Sequence, residues 1–234
     1  MARISVIIPS FNEGKYIKNA LEGLKKQDFK DFETIVVDKN STDNTAKVAR
    51  RYRNVTVIRE PRKGISIARN RGAREAKGEI LIFMDADTKP SKGFLRSYNK
   101  AFKKEIIMAT GPIMPLEKTD ILIWMGYIFV SVLMTYAGIA INDPAIIGSN
   151  FAVRRSDFMK VKGFNEKMDT YEDWDLSKKL AKRGKAAYVI GAVVYTSTRR
   201  VKKWGMWGYI AYHVDNIIRY NRGKKPRNDY NPVR

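Results

Sequence analysis

The chain predicts an α/β fold, a mainly parallel, mixed sheet flanked by helices, and three observations carry that reading. Apolar runs and helix-patterned segments alternate four times before residue 90, the arrangement that builds a parallel sheet covered on both faces. The run Glu79 to Met84 has the length and composition of a buried strand. Two acidic signatures then fall where such a fold delivers ligands: Asp85-Ala86-Asp87 directly after that run, and Tyr171-Glu172-Asp173-Trp174-Asp175 at the opening of a helical pattern.

Taken in order, Ile4 to Ile8 is an apolar strand expected to break at Pro9 into the polar turn Ser10-Phe11-Asn12-Glu13-Gly14, before a helical pattern from Lys15 to Lys26. Thr34 to Val37 repeats the logic, and the following Asp38-Lys39-Asn40-Ser41-Thr42-Asp43 places Ser41 to Asp43 where they suit a helix cap. Val55 to Ile58 is a third strand, leading through Lys63-Gly64-Ile65 to the basic helix Ala68-Arg69-Asn70-Arg71-Gly72-Ala73 and then to the Asp85 strand. In an open α/β sheet the ligand cleft lies at the carboxyl ends of the strands.

The chemistry follows from the acids. Asp85 and Asp87, one residue apart on a strand-end turn, suit a hard divalent cation, Mg²⁺ or Mn²⁺, which takes one or two carboxylates and completes its shell with substrate phosphates. That combination suggests a nucleotide diphosphate. The alternative is a solvated Asp-rich turn. Glu172 and Asp173 would be simple first-turn acids of a helix on their own; beside a metal-binding pair they read as the proton-accepting half of one site.

The ordered segments S-V-I-I-P-S-F-N-E, V-V-D-x-x-S-T-D-N-T, A-R-N-R-G-A, F-M-D-A-D, G-S-N-F-A-V-R-R, G-F-N-E and E-D-W-D-L, spread over residues 3 to 185, resemble the motifs of family 2 glycosyltransferases. The resemblance implies a GT-A fold over residues 1–200, with a nucleotide-sugar half to about residue 110 and an acceptor half after it, followed by a basic amphipathic helix and tail over 201–234. It also implies inverting transfer from a nucleotide-sugar. Asp173 matches the base, Asp87 the metal ligand, and Asp85 a residue acting through the metal or the donor ribose and sugar. Pro9, Ser10 and Glu13 match the first nucleotide-binding turn, Asp38 the second, and Arg69 a basic position beside the donor, with Ala86 inside the acidic triplet. Where many members carry a second acid, a uracil ligand, this chain has Lys39, so a UDP-sugar and a GDP-sugar both stay open. The segment Thr196-Ser197-Thr198-Arg199-Arg200 is expected to be a loop whose arginines either clamp the donor diphosphate or are solvated. His213, the single histidine, is read as structural or surface-lying within an amphipathic helix, the alternative implied by the resemblance being a late metal ligand, and Trp174 as either a sugar platform or core.

The net charge of +21 requires a phosphate-bearing partner. Basic clusters are scattered and no nucleic-acid motif accompanies them, so an anionic membrane surface is the better match. Residues 121–141 are uncharged and apolar for 21 positions. A single crossing there would separate Asp85 from Asp173, so the segment is expected to be a helix, or a broken helical hairpin, lying in the membrane interface or re-entering it, or else a core or subunit-interface helix. Trp207, Ile210, Ala211, Val214, Ile217 and Ile218 form one helical stripe between basic flanks, an interfacial anchor or an ordinary packed helix. The chain contains no cysteine, which excludes disulfides and thiolate metal sites, and its start lacks a signal peptide's apolar core. The expectation is an enzyme at the cytoplasmic face of the cell membrane, peripheral or monotopic, acting on a lipid-linked or glycan acceptor. A nucleotidyltransferase is the other enzyme reading, but Ser10 to Glu13 is no Gly-rich phosphate loop. A non-catalytic basic membrane- or nucleic-acid-binding protein is the third.

Overall fold

The computed structural model describes residues 2–129, 132, 135–140, 144, 146–168, 170–224 and 226–227. The chain opens with β1 (Ile4–Ser10), α1 (Ile17–Lys25), β2 (Phe32–Asp38), α2 (Thr45–Ala49), β3 (Val55–Arg59), α3 (Ile65–Glu75) and β4 (Ile80–Phe83). It continues through β5 (Thr88–Pro90), α4 (Phe94–Ala101), β6 (Ile106–Thr110), β7 (Ile113–Pro115), α5 (Ile121–Ile128) and α6 (Thr135–Ala140). A 3₁₀ turn at Gly148–Asn150 then leads to β8 (Phe151–Arg154), α7 (Arg155–Lys160), α8 (Glu172–Ala181), β9 (Lys185–Tyr188), β10 (Val194–Thr196) and α9 (Arg199–Asn221).

The main sheet has the order β3-β2-β1-β4-β8-β6-β9, and a small sheet has the order β5-β10-β7. In the main sheet β8 runs antiparallel to both neighbours while the other pairs are parallel. Side-chain alternation along β1 feeds two cores. Ile4, Val6 and Ile8 pack with Ile17, Leu21 and Leu24 of α1 and with Phe94, Leu95 and Tyr98 of α4. Ile7 points the other way, to Ala68 and Ala73 of α3, Phe158 of α7, and Leu176 and Leu180 of α8. Each such aliphatic side chain contributes about 1.5–3 kcal/mol on burial. Close approach of α3 needs Gly72, because a Cβ there would lie 2.5 Å from Ile7 Cγ2.

Two sequence expectations need correction, at Pro9 and at Arg199-Arg200. Pro9 does not break β1: the strand runs on to Ser10, with Pro9 in register with Val37. The Ile7 carbonyl accepts the Met84 N–H at 3.1 Å, so Pro9, two residues on, faces the same flank past the end of β4 and has no ladder bond to lose. Within the apolar segment 121–141 the described residues form α5 and α6, in keeping with the helical expectation, while 130, 131, 133, 134 and 141 lie outside the described residues. No side chain of α5 is buried, and among the described residues no helix is long and apolar enough to cross a membrane. Arg199 and Arg200 are not in a loop but form the first turn of α9. Gly205 interrupts α9 with φ 71° and ψ 159°, a backbone setting that only glycine takes without steric cost. The expected basic helix and tail thus begin at Arg199, and residues 228–234 lie outside those described.

Strand order reverses beside β1, whose neighbours are β2 and β4, and the carboxyl ends of these strands carry Ser10, Asp38 and the turn containing Asp85. That is the crevice in which an open α/β sheet presents its ligand groups.

Candidate active site

The floor of the crevice is two turns laced together. The N–H groups of Asn12, Glu13 and Gly14 donate to Ser41 Oγ (2.9 Å), Thr45 Oγ1 (2.8 Å) and Asp43 Oδ2 (2.9 Å), and Asn12 Oδ1 accepts the Thr42 N–H at 2.8 Å. Asp43 also accepts the N–H of Thr45, the first residue of α2, at 2.9 Å, although the N-cap position itself falls on Asn44 and not on Ser41 to Asp43. A Cβ on Gly14 would meet the tip of the exposed Asn44 side chain, which would have to turn aside. Pro9 and Ser10 are buried beneath, the Ser10 hydroxyl 3.4 Å from the Val37 carbonyl. Asp38 turns inward: its Oδ1 accepts the Ser41 hydroxyl at 2.5 Å and its Oδ2 the Ser41 N–H at 3.3 Å. In this arrangement Asp38 shapes the second turn, and Lys39 lies 5.7 Å from the Phe11 ring centre.

Above this floor two arginines knit the acids together. Arg69, from the buried side of α3, is 2% exposed and holds Glu172 with Nη1 and Asp85 with Nη2, the latter at 3.1 Å. Its guanidinium stacks 5.4 Å from the Phe164 ring centre. Arg199 holds Glu13 at 2.6 Å and Asp87 at 3.1 Å, with its guanidinium 4.5 Å from the Tyr16 ring centre. Ala86, between the two acids, is buried in the core. Arg200 follows on α9 with its guanidinium 5.9 Å from the Trp204 ring centre, and its charge acts on Asp87. The Asp85 side chain is 37% exposed and Asp87 15%, so Asp85 is the more open of the pair.

Asp173 completes the cluster. Its Oδ2 accepts the Gly148 N–H at 2.6 Å and its Oδ1 the Trp174 N–H at 2.8 Å. Gly148 is squeezed between this carboxylate and Arg69, since a Cβ there would stand 2.6 Å from Arg69 Nη2. Its turn is pinned by fully buried Asn150: Oδ1 accepts the Tyr98 hydroxyl at 2.5 Å, and Nδ2 donates to the carbonyls of Ala192 (2.9 Å) and Pro112 (3.3 Å). The start of α9 is fixed by Glu117, which accepts from the Ser197 hydroxyl (2.8 Å) and from the Thr198 N–H (2.8 Å) and hydroxyl (3.0 Å). Gly148, Asn150 and Glu117 are absent from the residues the sequence singles out as site residues. The G-S-N-F segment carried a signal for the first two; a lone Glu117 carried none.

Electrostatics reflect acids gathered around two guanidiniums: Glu172, Asp173 and the more open Asp85 around Arg69, and Asp87 with Glu13 around Arg199. Burial pushes Asp87 up to about 7, the charges of Asp85 and Glu13 add to the rise, and Arg199 and Arg200 oppose it. Burial also raises Glu172, with the Asp173 charge adding and Arg69 opposing; Asp173 rises for the same leading reason, against Arg69 and the two N–H donors. The pair titrates as a unit. Arg69 stays charged: burial works against it, and the carboxylates of Glu172, Asp85 and Asp173 outweigh that.

Among the described residues no three His, Cys, Asp or Glu side chains form a metal cage. The donor set nevertheless fits Mg²⁺ or Mn²⁺ of the kind that relies on substrate phosphates: two hard carboxylates one residue apart, one open to solvent and the other raised by burial and by the neighbouring charges of Asp85 and Glu13. His213 is not among these groups. Its Nδ1 lies 3.2 Å from the Tyr171 hydroxyl, and burial lowers it to about 4, in keeping with a structural role. Trp174 is covered by Tyr220, stacked at 5.6 Å and 16°, with Lys178 5.1 Å from its ring centre.

Comparison with known proteins agrees with this architecture. The poly(ribitol-phosphate) beta-N-acetylglucosaminyltransferase TarS of Staphylococcus aureus is 38% identical over 103 residues, 41% of this chain and 18% of the relative. A GalNAc(5)-diNAcBac-PP-undecaprenol beta-1,3-glucosyltransferase of Campylobacter jejuni is 33% identical over 101 residues, 41% of this chain and 33% of the relative. The matched regions thus span well under two thirds of these relatives. In three dimensions, Staphylococcus aureus TarS in complex with UDP-GlcNAc superposes with a TM-score of 0.69 at 22% identity, covering 84% of this chain and 58% of that one. A mannosyltransferase from Pyrobaculum calidifontis in complex with GDP-Man and Mn²⁺ superposes with a TM-score of 0.65 at 20% identity, covering 91% and 64%. These likenesses carry the fold, the GT-A arrangement of a mainly parallel mixed sheet between helices. The family description "Glycosyl transferase family 2" matches residues 5–162, more than half of the sequence, and the chain belongs to that family.

Proposed function

We propose that the protein moves a sugar from a nucleotide diphosphate donor, a UDP- or GDP-sugar, to a lipid-linked acceptor, with inversion at the anomeric carbon. The observation that carries this reading is Arg69, which joins the two acidic motifs by holding Asp85 and Glu172 at once. A transfer of this kind needs a base at the acceptor hydroxyl and positive charge at the leaving diphosphate within one site.

Asp173 is the base of the proposal. Its carboxylate is oriented by the N–H groups of Gly148 and Trp174, and its raised affinity for protons suits it to take one from an alcohol. Glu172, locked to Arg69, holds the helix start and orients the acceptor. Asp87 and Asp85 would hold Mn²⁺ or Mg²⁺, which when bound supplies Lewis-acid charge neutralisation of the departing diphosphate. Asp87 would then exchange its pairing with Arg199, leaving that guanidinium, with Arg200 beside it, to meet the phosphate oxygens. Pro9, Ser10, Glu13 and Asp38 shape the nucleotide side of the cleft.

The lipid-linked acceptor and a peripheral or monotopic position on the cytoplasmic face of the cell membrane rest on surface chemistry. Ile121 and Leu122 on α5 are 66% and 74% exposed, Trp207 on α9 is 83% exposed, and Ile210, Val214, Ile217 and Ile218 follow on the same stripe. Apolar side chains on the outside of a chain of net charge +21 suit an anionic lipid surface.

Thermal unfolding with UDP, GDP and their sugar conjugates, each with Mn²⁺, Mg²⁺ or EDTA, tests the donor site. A ligand at a hundredfold its Kd adds about 2.7 kcal/mol, or roughly 5–10 °C for a domain of this size. The expected result is a metal-dependent rise with one nucleotide that Asp87→Ala abolishes, with nucleoside diphosphate and not pyrophosphate released on turnover. No shift with any nucleotide at saturation would defeat the reading in favour of a non-catalytic basic protein. Flotation with anionic against neutral vesicles tests the membrane part: Leu122→Asp with Trp207→Asp is expected to abolish binding to the anionic ones.

A further inference from the structure

Four non-glycine residues among those described have positive φ: Asn12, Asn40, Lys162 and Tyr171. Two are asparagines, which tolerate the left-handed region, and Lys162 lies just past the end of α7, where such a residue commonly closes a helix. Tyr171 fits neither case. It is a bulky residue at φ 62° and ψ 14° at the start of α8, and the next two residues are Glu172 and Asp173. A left-handed tyrosine persists only where its surroundings hold it there.

The holding contacts come from α9. The Tyr171 hydroxyl donates to the His213 carbonyl at 2.7 Å and lies 3.2 Å from His213 Nδ1. The single phenol proton goes to the carbonyl, so the Nδ1 contact requires the tautomer with the proton on Nδ1, donating to the phenol oxygen. The Tyr171 ring also packs 5.6 Å from Trp174 and 6.2 Å from the His213 ring. Its backbone carbonyl accepts the Asp175 N–H at 3.0 Å, the first bond of α8. The direction in which α8 departs is therefore set at Tyr171, and with it the place where Asp173 meets the Gly148 N–H.

We propose that Tyr171 is the positioning residue of the Asp173 carboxylate, held in its left-handed backbone by His213 of the C-terminal helix. The inference rests on the reading of Asp173 as the base. It gives α9 a task inside the site: the helix whose outer stripe is exposed has an inner face that clamps the start of the base-bearing helix. Arg199, in the first turn of α9 ahead of the Gly205 break, reaches Asp87, so the two parts of α9 between them touch both acidic motifs.

The test is Tyr171→Phe, which keeps the ring and removes both hydrogen bonds. Turnover of a nucleotide-sugar by the wild-type chain is measured beside it, with the nucleotide-induced thermal shift as a second readout. The expected result is a fall in kcat of tenfold or more with the donor KM and the nucleotide shift within twofold of wild type. His213→Leu is expected to lower kcat in the same direction, and His213→Asn, whose amide N–H can reach the phenol oxygen, to recover part of that loss. An active wild type with Tyr171→Phe retaining kcat within twofold overturns this inference alone. Loss of the nucleotide shift in Tyr171→Phe overturns it too, because the residue would then be supporting the whole cleft. A wild type that turns over no nucleotide-sugar overturns it together with the transferase reading.

Discussion

Replacing Arg69 by methionine tests the electrostatic construction of the site. The side chain is 2% exposed, pairs with Glu172 and Asp85, and lies within electrostatic reach of Asp173. Methionine keeps most of the apolar stem against Phe164 but leaves these carboxylates without their shared cation. Removing one partner of a buried ion pair costs about 3–5 kcal/mol, and for a chain of this size each kcal/mol lowers Tm by about 2–4 °C. A fall of roughly 6–20 °C near pH 7.5 is expected, read by calorimetry or urea unfolding. The sign of the pH dependence follows from linkage. Without Arg69 the folded-state affinities of Glu172 and Asp173 for protons rise further above those of the unfolded chain. Their contribution to stability is then present at low pH and lost as pH rises through the folded values. The deficit of the variant against wild type should therefore shrink between pH 7.5 and pH 5. A deficit below about 1 kcal/mol at pH 7.5, the size of a surface ion pair, or one that does not change with pH, would refute the three-carboxylate account.

Three further outcomes are expected. Asp173→Asn should lower kcat by about 10²–10⁴, the range for a general base, while the nucleotide-induced thermal shift survives; equal loss of both would make Asp173 a donor-binding residue. Gly148→Ala, whose Cβ meets Arg69 at 2.6 Å, should cost about 1–3 kcal/mol in urea unfolding and displace the N–H that Asp173 accepts; an unchanged midpoint would show that the turn yields freely. The acid limb of kcat/KM should lie above the ordinary carboxylate range, because Glu172 and Asp173 are both raised and the base works only ionised, so activity rises with pH through that limb; a limb near 4 would contradict the buried placement of the pair.

What the sequence determines by itself is local. The continuous apolar runs at 4–8, 34–37, 55–58 and 79–84 give strands, and the acids that follow Met84 and precede Trp174 land on a strand-end turn and a helix start. Such features depend on side-chain periodicity and on the hydrogen-bonding habits of neighbouring residues, which act over a few positions. Whether Arg199 and Arg200 lie in a loop or a helix was not settled that way, because Ser, Thr and Arg suit both until Glu117 arrives to hold Thr198. Pro9 misled for the mirror reason: its effect on β1 depends on where β4 stops, not on its neighbours.

Tertiary structure alone decided which acids share a cation. Strand order puts β1 between β2 and β4, and this brings Glu13 within reach of Arg199 and Asp87, and Arg69 between Asp85 and Glu172. It also covered Trp174 with Tyr220 and set Gly148 where a side chain has no room. These contacts join positions far apart in the chain, and their distances are set by packing of two cores on opposite faces of one sheet. A residue's charge and shape can be read from its letter, but its partner is chosen only when the elements carrying both have docked.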